Sequence, residues 1–170
     1  MSDYAEPIEV GAVRFQRTLP GPIERVFAHL VDPALRATWF AGGATEPRVG
    51  GKLVLRFDHS SFAPEPVPER FARAMGFEMQ SKVTRFDPPR MFGFEWEDGS
   101  EVVFELEPKG KQVLLTLTHR KVASRDTLRN VSAGWHSHLD VLACALQGEK
   151  PKAFWSRIEP LEQEYAKRLG

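Results

Sequence analysis

The chain has 170 residues, 42% of them hydrophobic and 27% charged, the proportions of a globular domain and not of a disordered chain. Lys plus Arg and Asp plus Glu each total 23, so no net field draws it to nucleic acid or an acidic membrane surface. No apolar run approaches the roughly 20 residues of a spanning helix, the single Cys144 excludes an intrachain disulfide, and Met1-Ser2-Asp3-Tyr4-Ala5-Glu6-Pro7 lacks a signal-peptide core; the expectation is a cytoplasmic protein without membrane insertion.

Ile8 to Leu19 reads as a first strand, with Val10, Ala12, Val13 and Phe15 inside it. Pro20-Gly21-Pro22 ends it, and Pro22 suits the first turn of a helix. Ile23, Val26, Phe27 and Leu30 then make an i, i+3, i+4, i+7 stripe. Asp32-Pro33 opens a second short helix, with Asp32 as N-cap and Pro33 at N1, running to about Trp39-Phe40 before Gly42-Gly43. Lys52 to Phe57 alternates, with Leu53, Leu55 and Phe57 on one face.

Asp58 to Arg70 fits neither period, and its three prolines preclude a central strand. Pro68 starts a short helix through Met75, which places Phe71 and Met75 on one side. Phe77 to Phe86, Met91 to Trp96, Glu101 to Glu107 and Gln112 to His119 are strands joined by tight turns, Asp98-Gly99 being a strong hairpin signal. Their one-sided alternation predicts an antiparallel meander. Leu128, Val131, Trp135, Leu139, Leu142 and Leu146 step by three or four and predict a helix over about 124–147, roughly six turns long. Such a helix, arriving after many strands, belongs on the concave side of a curved sheet, where a cavity can open between them. Gly148 to Pro151 is a break, and Phe154 to Leu169 is a closing helix. Residues 1–170 are expected to form a single domain, with a core over about 8–147 and 148–170 as a C-terminal extension.

The order of these pieces is distinctive: Asp32-Pro33-Ala34-Leu35-Arg36-Ala37-Thr38-Trp39-Phe40, then Arg48-Val49-Gly50-Gly51, then Leu115-Thr116-Leu117-Thr118-His119, then Gly134-Trp135. In this the chain resembles the SRPBCC (START-like) superfamily, and within it the branch named for activators of a heat-shock chaperone ATPase. The resemblance covers about residues 8–147. It implies an α+β helix-grip fold, a curved antiparallel sheet wrapped around a long C-terminal helix with two short helices after the first strand. It also implies a hydrophobic ligand pocket between sheet and helix. Relatives include lipid carriers, hormone receptors, polyketide cyclases and oxygenase subunits, so the fold alone assigns no function.

Pocket candidates are the large inward side chains Trp39, Phe40, Leu55, Phe57, Phe77, Met79, Phe92, Phe94, Trp96, Phe104, Leu117, Trp135, Leu139 and Leu142. Each of them also suits an ordinary core. His119 shares parity with Leu117 and points inward near a strand end, where half exposure is the simpler expectation. Phe62, Phe71 and Met75 are candidates for a lid formed by the 58–76 segment over the pocket mouth.

Chemistry-bearing patterns are sparse. His136 and His138 sit about 200° apart on a helix and cannot share an ion, while His136 and Asp140 suit a surface hydrogen-bonded pair. Cys144 lies in an apolar helical stretch that favours a buried, inert thiol. Ser132 and Ser137 lack a nucleophile elbow, and Gly42-Gly43 and Gly50-Gly51 lack the phosphate-loop spacing. No metal and no cofactor is expected. Three functions remain open: binding of a hydrophobic or aromatic small molecule without chemistry, a cyclase, aromatase or hydrolase using a pocket histidine such as His119, and a chaperone cofactor or other interaction module. The separate N-terminal domain of the chaperone activator has no counterpart before the first strand, which argues against the third. A monomer or a homodimer is compatible with all three.

Overall fold

Period-two alternation builds a sheet in this protein, and helical stripes cover it. A computed structural model describes residues 2–170. Seven strands, β1 (Glu6–Glu9), β2 (Ala12–Pro20), β3 (Lys52–Arg56), β4 (Glu78–Asp87), β5 (Met91–Glu95), β6 (Glu101–Lys109) and β7 (Gln112–Arg120), form one curved antiparallel sheet in the order β1-β2-β7-β6-β5-β4-β3. Because side chains alternate across each strand, the register lines up inward rows. Phe92, Phe104, Leu117 and Phe15 face one another across β5, β6, β7 and β2, and all four are buried. The next row, Phe94, Val102, His119 and Val13, carries the histidine inward.

Four helices accompany the sheet among the described residues: α1 (Ile23–Val31), α2 (Pro33–Arg36), α3 (Arg125–Leu146) and α4 (Trp155–Leu169). Ser124 caps α3, its hydroxyl accepting from the Thr127 N–H at 3.1 Å, and Asp126 in the first turn complements the helix dipole. The apolar stripe of α3 then lies over the concave face, with the Trp135 ring 5.8 Å from Phe104 and 5.7 Å from Trp96. This is the helix-grip arrangement of an α+β fold. No helix among the described residues is long and apolar enough to cross a membrane.

Several expectations are corrected. The first strand is two, because Gly11 at φ 74° turns the chain between β1 and β2. A Cβ there would stand 2.5 Å from the Val122 carbonyl oxygen, so the turn demands glycine. Val10 falls in that turn and, with Ile8, is exposed. The second helix stops at Arg36, short of Trp39-Phe40, because Arg36 turns inward and organises the following loop. Its guanidinium donates to the carbonyl oxygens of Ala41 at 2.8 Å and Gly43 at 2.7 Å and to Thr45 Oγ1 at 2.7 Å. Burial lowers its pKa to about 10, Asp32 opposing the shift.

His136 and Asp140 are not a surface pair. His136 is buried because α4 packs against α3 and brings Tyr165 onto it, the Tyr165 hydroxyl lying 2.8 Å from His136 Nδ1 while Asp140 is 3.9 Å from Nε2. Cys144 is only half-buried. Its thiol pKa is nonetheless raised, by burial and by the nearby Glu149 and Asp140 carboxylates. The segment after β3 is more ordered than a free loop, forming 3-10 turns at His59–Ser61 and Glu69–Ala74.

Candidate functional site

The stretch of α3 from Asn130 to His138 borders open space. A cavity of about 600 Å³ opens there, between α3, the rim of the sheet, the 58–76 segment and the start of α4. Val131, Gly134, Trp135 and His138 recur at three- and four-residue steps and bring one face of α3 to it. The sheet side supplies Met79 and Trp96, and the chain beyond α2 and β3 supplies Phe40, Phe57 and His59. Phe71, Phe154, Trp155 and Ile158 close the far wall, while exposed Arg70, Glu97 and Asn130 stand at the rim.

Of the residues expected to line a pocket, Phe40, Phe57, Phe77, Met79, Trp96 and Trp135 border this cavity, as does Phe71 from the expected lid. Phe77 does so while 44% exposed, at the mouth. Trp39, Leu55, Phe92, Phe94, Phe104, Leu117, His119, Leu139 and Leu142 are buried in the core and do not border it. Strand parity tells which face a side chain takes but not how far along the sheet the covering helix extends. Trp39 is further committed by its indole N–H, which donates to the His29 carbonyl at 2.7 Å. Phe62 is packed against His59, His138 and Phe154 rather than laid over the opening, and Met75 packs on the core.

His59, His138, Gly134, Val131, Phe154, Trp155 and Ile158 were missed. For the α3 members a signal existed: Val131, Gly134, Trp135 and His138 share a helix face. For α4 none did, because nothing local says that α4 folds back onto the cavity. The tether is Glu65, whose carboxylate accepts from the backbone N–H groups of Phe154 at 2.9 Å, Trp155 at 3.3 Å and Ser156 at 3.0 Å and from the Ser156 hydroxyl at 2.6 Å. Burial works against this charge, yet those hydrogen bonds outweigh it and lower the Glu65 pKa to about 2. Nearby, Arg70 pairs with Glu162, and the Phe71 ring stacks on Trp155 at 5.0 Å.

Two histidines face the cavity from below, their rings 5.4 Å apart. Burial pushes the pKa of His59 down to about 4, Asp58 partly opposing it, and that of His138 down to about 3, with His59 adding to the shift. Both rings are therefore neutral at pH 7. His138 Nδ1 lies 2.8 Å from the Trp39 carbonyl oxygen, so Nδ1 carries the proton and Nε2 keeps a lone pair.

His119 has its own fixed tautomer. The Trp135 indole N–H donates to His119 Nδ1 at 3.1 Å, so the proton sits on Nε2, which donates to Ser100 Oγ at 2.7 Å. Ser100 in turn donates to the Asp98 carboxylate. The chain holds a serine, a histidine and an aspartate, but the histidine donates to the serine and cannot take its proton, the reverse of a catalytic triad. Ser100 and His119 are both fully buried, and burial lowers the His119 pKa to about 4 against the pull of Asp98. Among the described residues no group of three or more His, Cys, Asp or Glu could hold a metal ion.

A curved antiparallel sheet gripping one long helix, with an aromatic cavity beside that helix, defines a START-like protein of the SRPBCC superfamily. Residues 20–147 match the family described as activator of Hsp90 ATPase homolog 1-like protein, and the chain belongs to that family. It is similar to the protein encoded by gene BPP1335 from Bordetella parapertussis, at 39% identity and a TM-score of 0.84, over 98% of this chain and 91% of that one. CalU16 from Micromonospora echinospora shares the fold at 21% identity and a TM-score of 0.71, over 98% and 94% of the two chains. DynU16, a putative protein in the dynemicin biosynthetic locus, does so at 20% identity and a TM-score of 0.67, over 85% of this chain and 50% of that one. No curated protein matches.

Proposed function

We propose that this protein binds a planar hydrophobic small molecule reversibly in the α3 cavity and performs no chemistry on it. The observation that carries this reading is a 600 Å³ space walled by Phe40, Phe57, Trp96, Trp135 and Trp155, in a size range typical of small-molecule sites. Ring edges and faces at these spacings suit flat aromatic guests. A catalytic reading through His119 is disfavoured by its sealed, donor-committed ring. The cavity histidines fare little better as bases, since with pKa values of about 4 and 3 they lie far from the neutral range where a general base is most effective. A chaperone-directed role draws on the family description alone.

A thermal-shift screen of flat hydrophobic compounds tests the reading, with tryptophan fluorescence on the hits. A genuine ligand at a hundredfold excess over its Kd adds about 2.7 kcal/mol to the folded state and quenches Trp96, Trp135 or Trp155. A diverse panel with no stabilising member would overturn the proposal. Saturable turnover of a hit, abolished by His59→Ala or His138→Ala, would replace binding with catalysis.

A further inference from the structure

The polar atoms around the cavity are arranged unevenly, and that unevenness describes the guest. His138 spends its one N–H on the Trp39 carbonyl, which leaves Nε2 as a lone-pair nitrogen on a ring that borders the cavity. His59 and Trp155 stand beside it, ring centroids 5.4 Å from His138 to His59 and 4.7 Å from His59 to Trp155. Both are more than nine-tenths buried, and His59 Nδ1 and Trp155 Nε1 have no hydrogen-bond partner. A buried polar group without a partner is unfavourable and is rare in native structures. Here two such atoms sit on rings beside His138, at one corner of one cavity.

We infer that the ligand is a neutral planar aromatic bearing a hydroxyl group, whose O–H donates to His138 Nε2; this rests on the binding reading above. An oxygen in that corner offers both halves of what is missing, a proton for His138 and lone pairs for the Trp155 indole N–H or for an N–H of His59. A ring N–H would supply the proton but no lone pair. A carboxylate or phenolate would meet the His138 lone pair with another lone pair and would find no cation within, since Arg70 at the rim is paired with Glu162. An ammonium would have to shed its water beside neutral rings. His138 is thus a specificity-determining residue and not a base.

The test uses the full chain at pH 7 and two probes of nearly equal shape, 2-naphthol and 2-methoxynaphthalene, titrated by calorimetry. A cavity that reads apolar area alone prefers the ether, which has one more carbon. The inference requires the opposite, with 2-naphthol binding about three- to tenfold more tightly, the range of one net hydrogen bond. His138→Asn keeps an amide N–H in reach of the Trp39 carbonyl and removes the ring nitrogen Nε2, and should abolish the preference, read as the ratio of the two probes' affinities within the variant. In the unsubstituted protein the His138 imidazole nitrogen resonance should move with 2-naphthol and not with the ether, a readout that survives if the variant fails to fold. Equal or tighter binding of the ether, or a preference that persists in His138→Asn, overturns the hydroxyl inference and leaves cavity binding intact. Failure of both probes to bind overturns the two readings together.

Discussion

Gly134 sits in the middle of α3, where glycine costs about 1 kcal/mol relative to alanine, and a Cβ built on it meets nothing within 4 Å. The residue is therefore not there to admit a neighbouring chain, and the space beside it belongs to the cavity. Gly134→Ala is expected to raise the melting temperature, by the equivalent of about 0.5–1 kcal/mol, and to weaken cavity ligands at the same time. Opposite movement of stability and affinity is the signature of a residue kept small for a guest; a fall in both would mean that the helix itself needs glycine. Trp135 is the converse case. It packs on Phe40, Trp96 and Phe104 and donates to His119, so Trp135→Ala removes a buried ring and a buried hydrogen bond together. The expected loss is about 3–5 kcal/mol, read as a lower denaturant midpoint at unchanged slope. The first of these residues was legible in the sequence only through the helix face it shares with Trp135, because a lone glycine in a helical run does not itself say that the space beside it is empty. The second was legible directly, because its place in a long apolar stripe determines burial.

At the scale of elements, periodicity carried most of the structure. Strands β3 to β7 and helix α3 fall where alternation and the 3.6-residue stripe place them, because each buries one face against the same core. The failures share a cause: a polar or conformational device acting across the sequence. Gly11 splits a strand, Arg36 gathers the loop that follows it, and Glu65 clamps the 58–76 segment to α4 from 89 or more residues away. That clamp changes what the segment is expected to do. Removing it wholesale would strip Phe62 and His59 from the core, so shortening the segment costs stability as well as covering the cavity. A gentler change is Glu65→Gln, which retains one acceptor and loses the charge facing the start of α4. The variant should keep its helix content, open the Phe71–Trp155 wall more often, and accelerate ligand release with little change in the association rate. Stopped-flow displacement of a bound ligand measures this directly, and release rates equal to those of the parent protein would show that the clamp holds only the fold.

Across the whole molecule, burial holds His59, His119, His136 and His138 neutral near pH 7. His59 and His119 are lowered to about 4 and His138 to about 3 from the ordinary 6.5, each chiefly by desolvation, and His136 is lowered in the same sense beside Asp140. A folded pKa below the unfolded one means that the unfolded chain binds more protons between the two values. The stability these rings contribute is therefore complete above about pH 6.5 and is lost as pH falls towards 4, at about 1.4 kcal/mol per pH unit for each ring. Carboxylates such as Glu65 act in a lower window, because their contribution is present above about 4.5 and disappears only as pH falls towards 2. The two windows scarcely overlap, so acid titration separates them. Four rings acting in the same direction should make stability fall steeply below about pH 6.5, above the window of the carboxylates. Urea midpoints measured from pH 7.5 downwards should begin to fall near pH 6.5 and steepen by pH 5.5. A midpoint that stays level to pH 5 would mean that these rings ionise as freely in the folded protein as in water, which their burial beneath α3, α4 and the cavity does not permit.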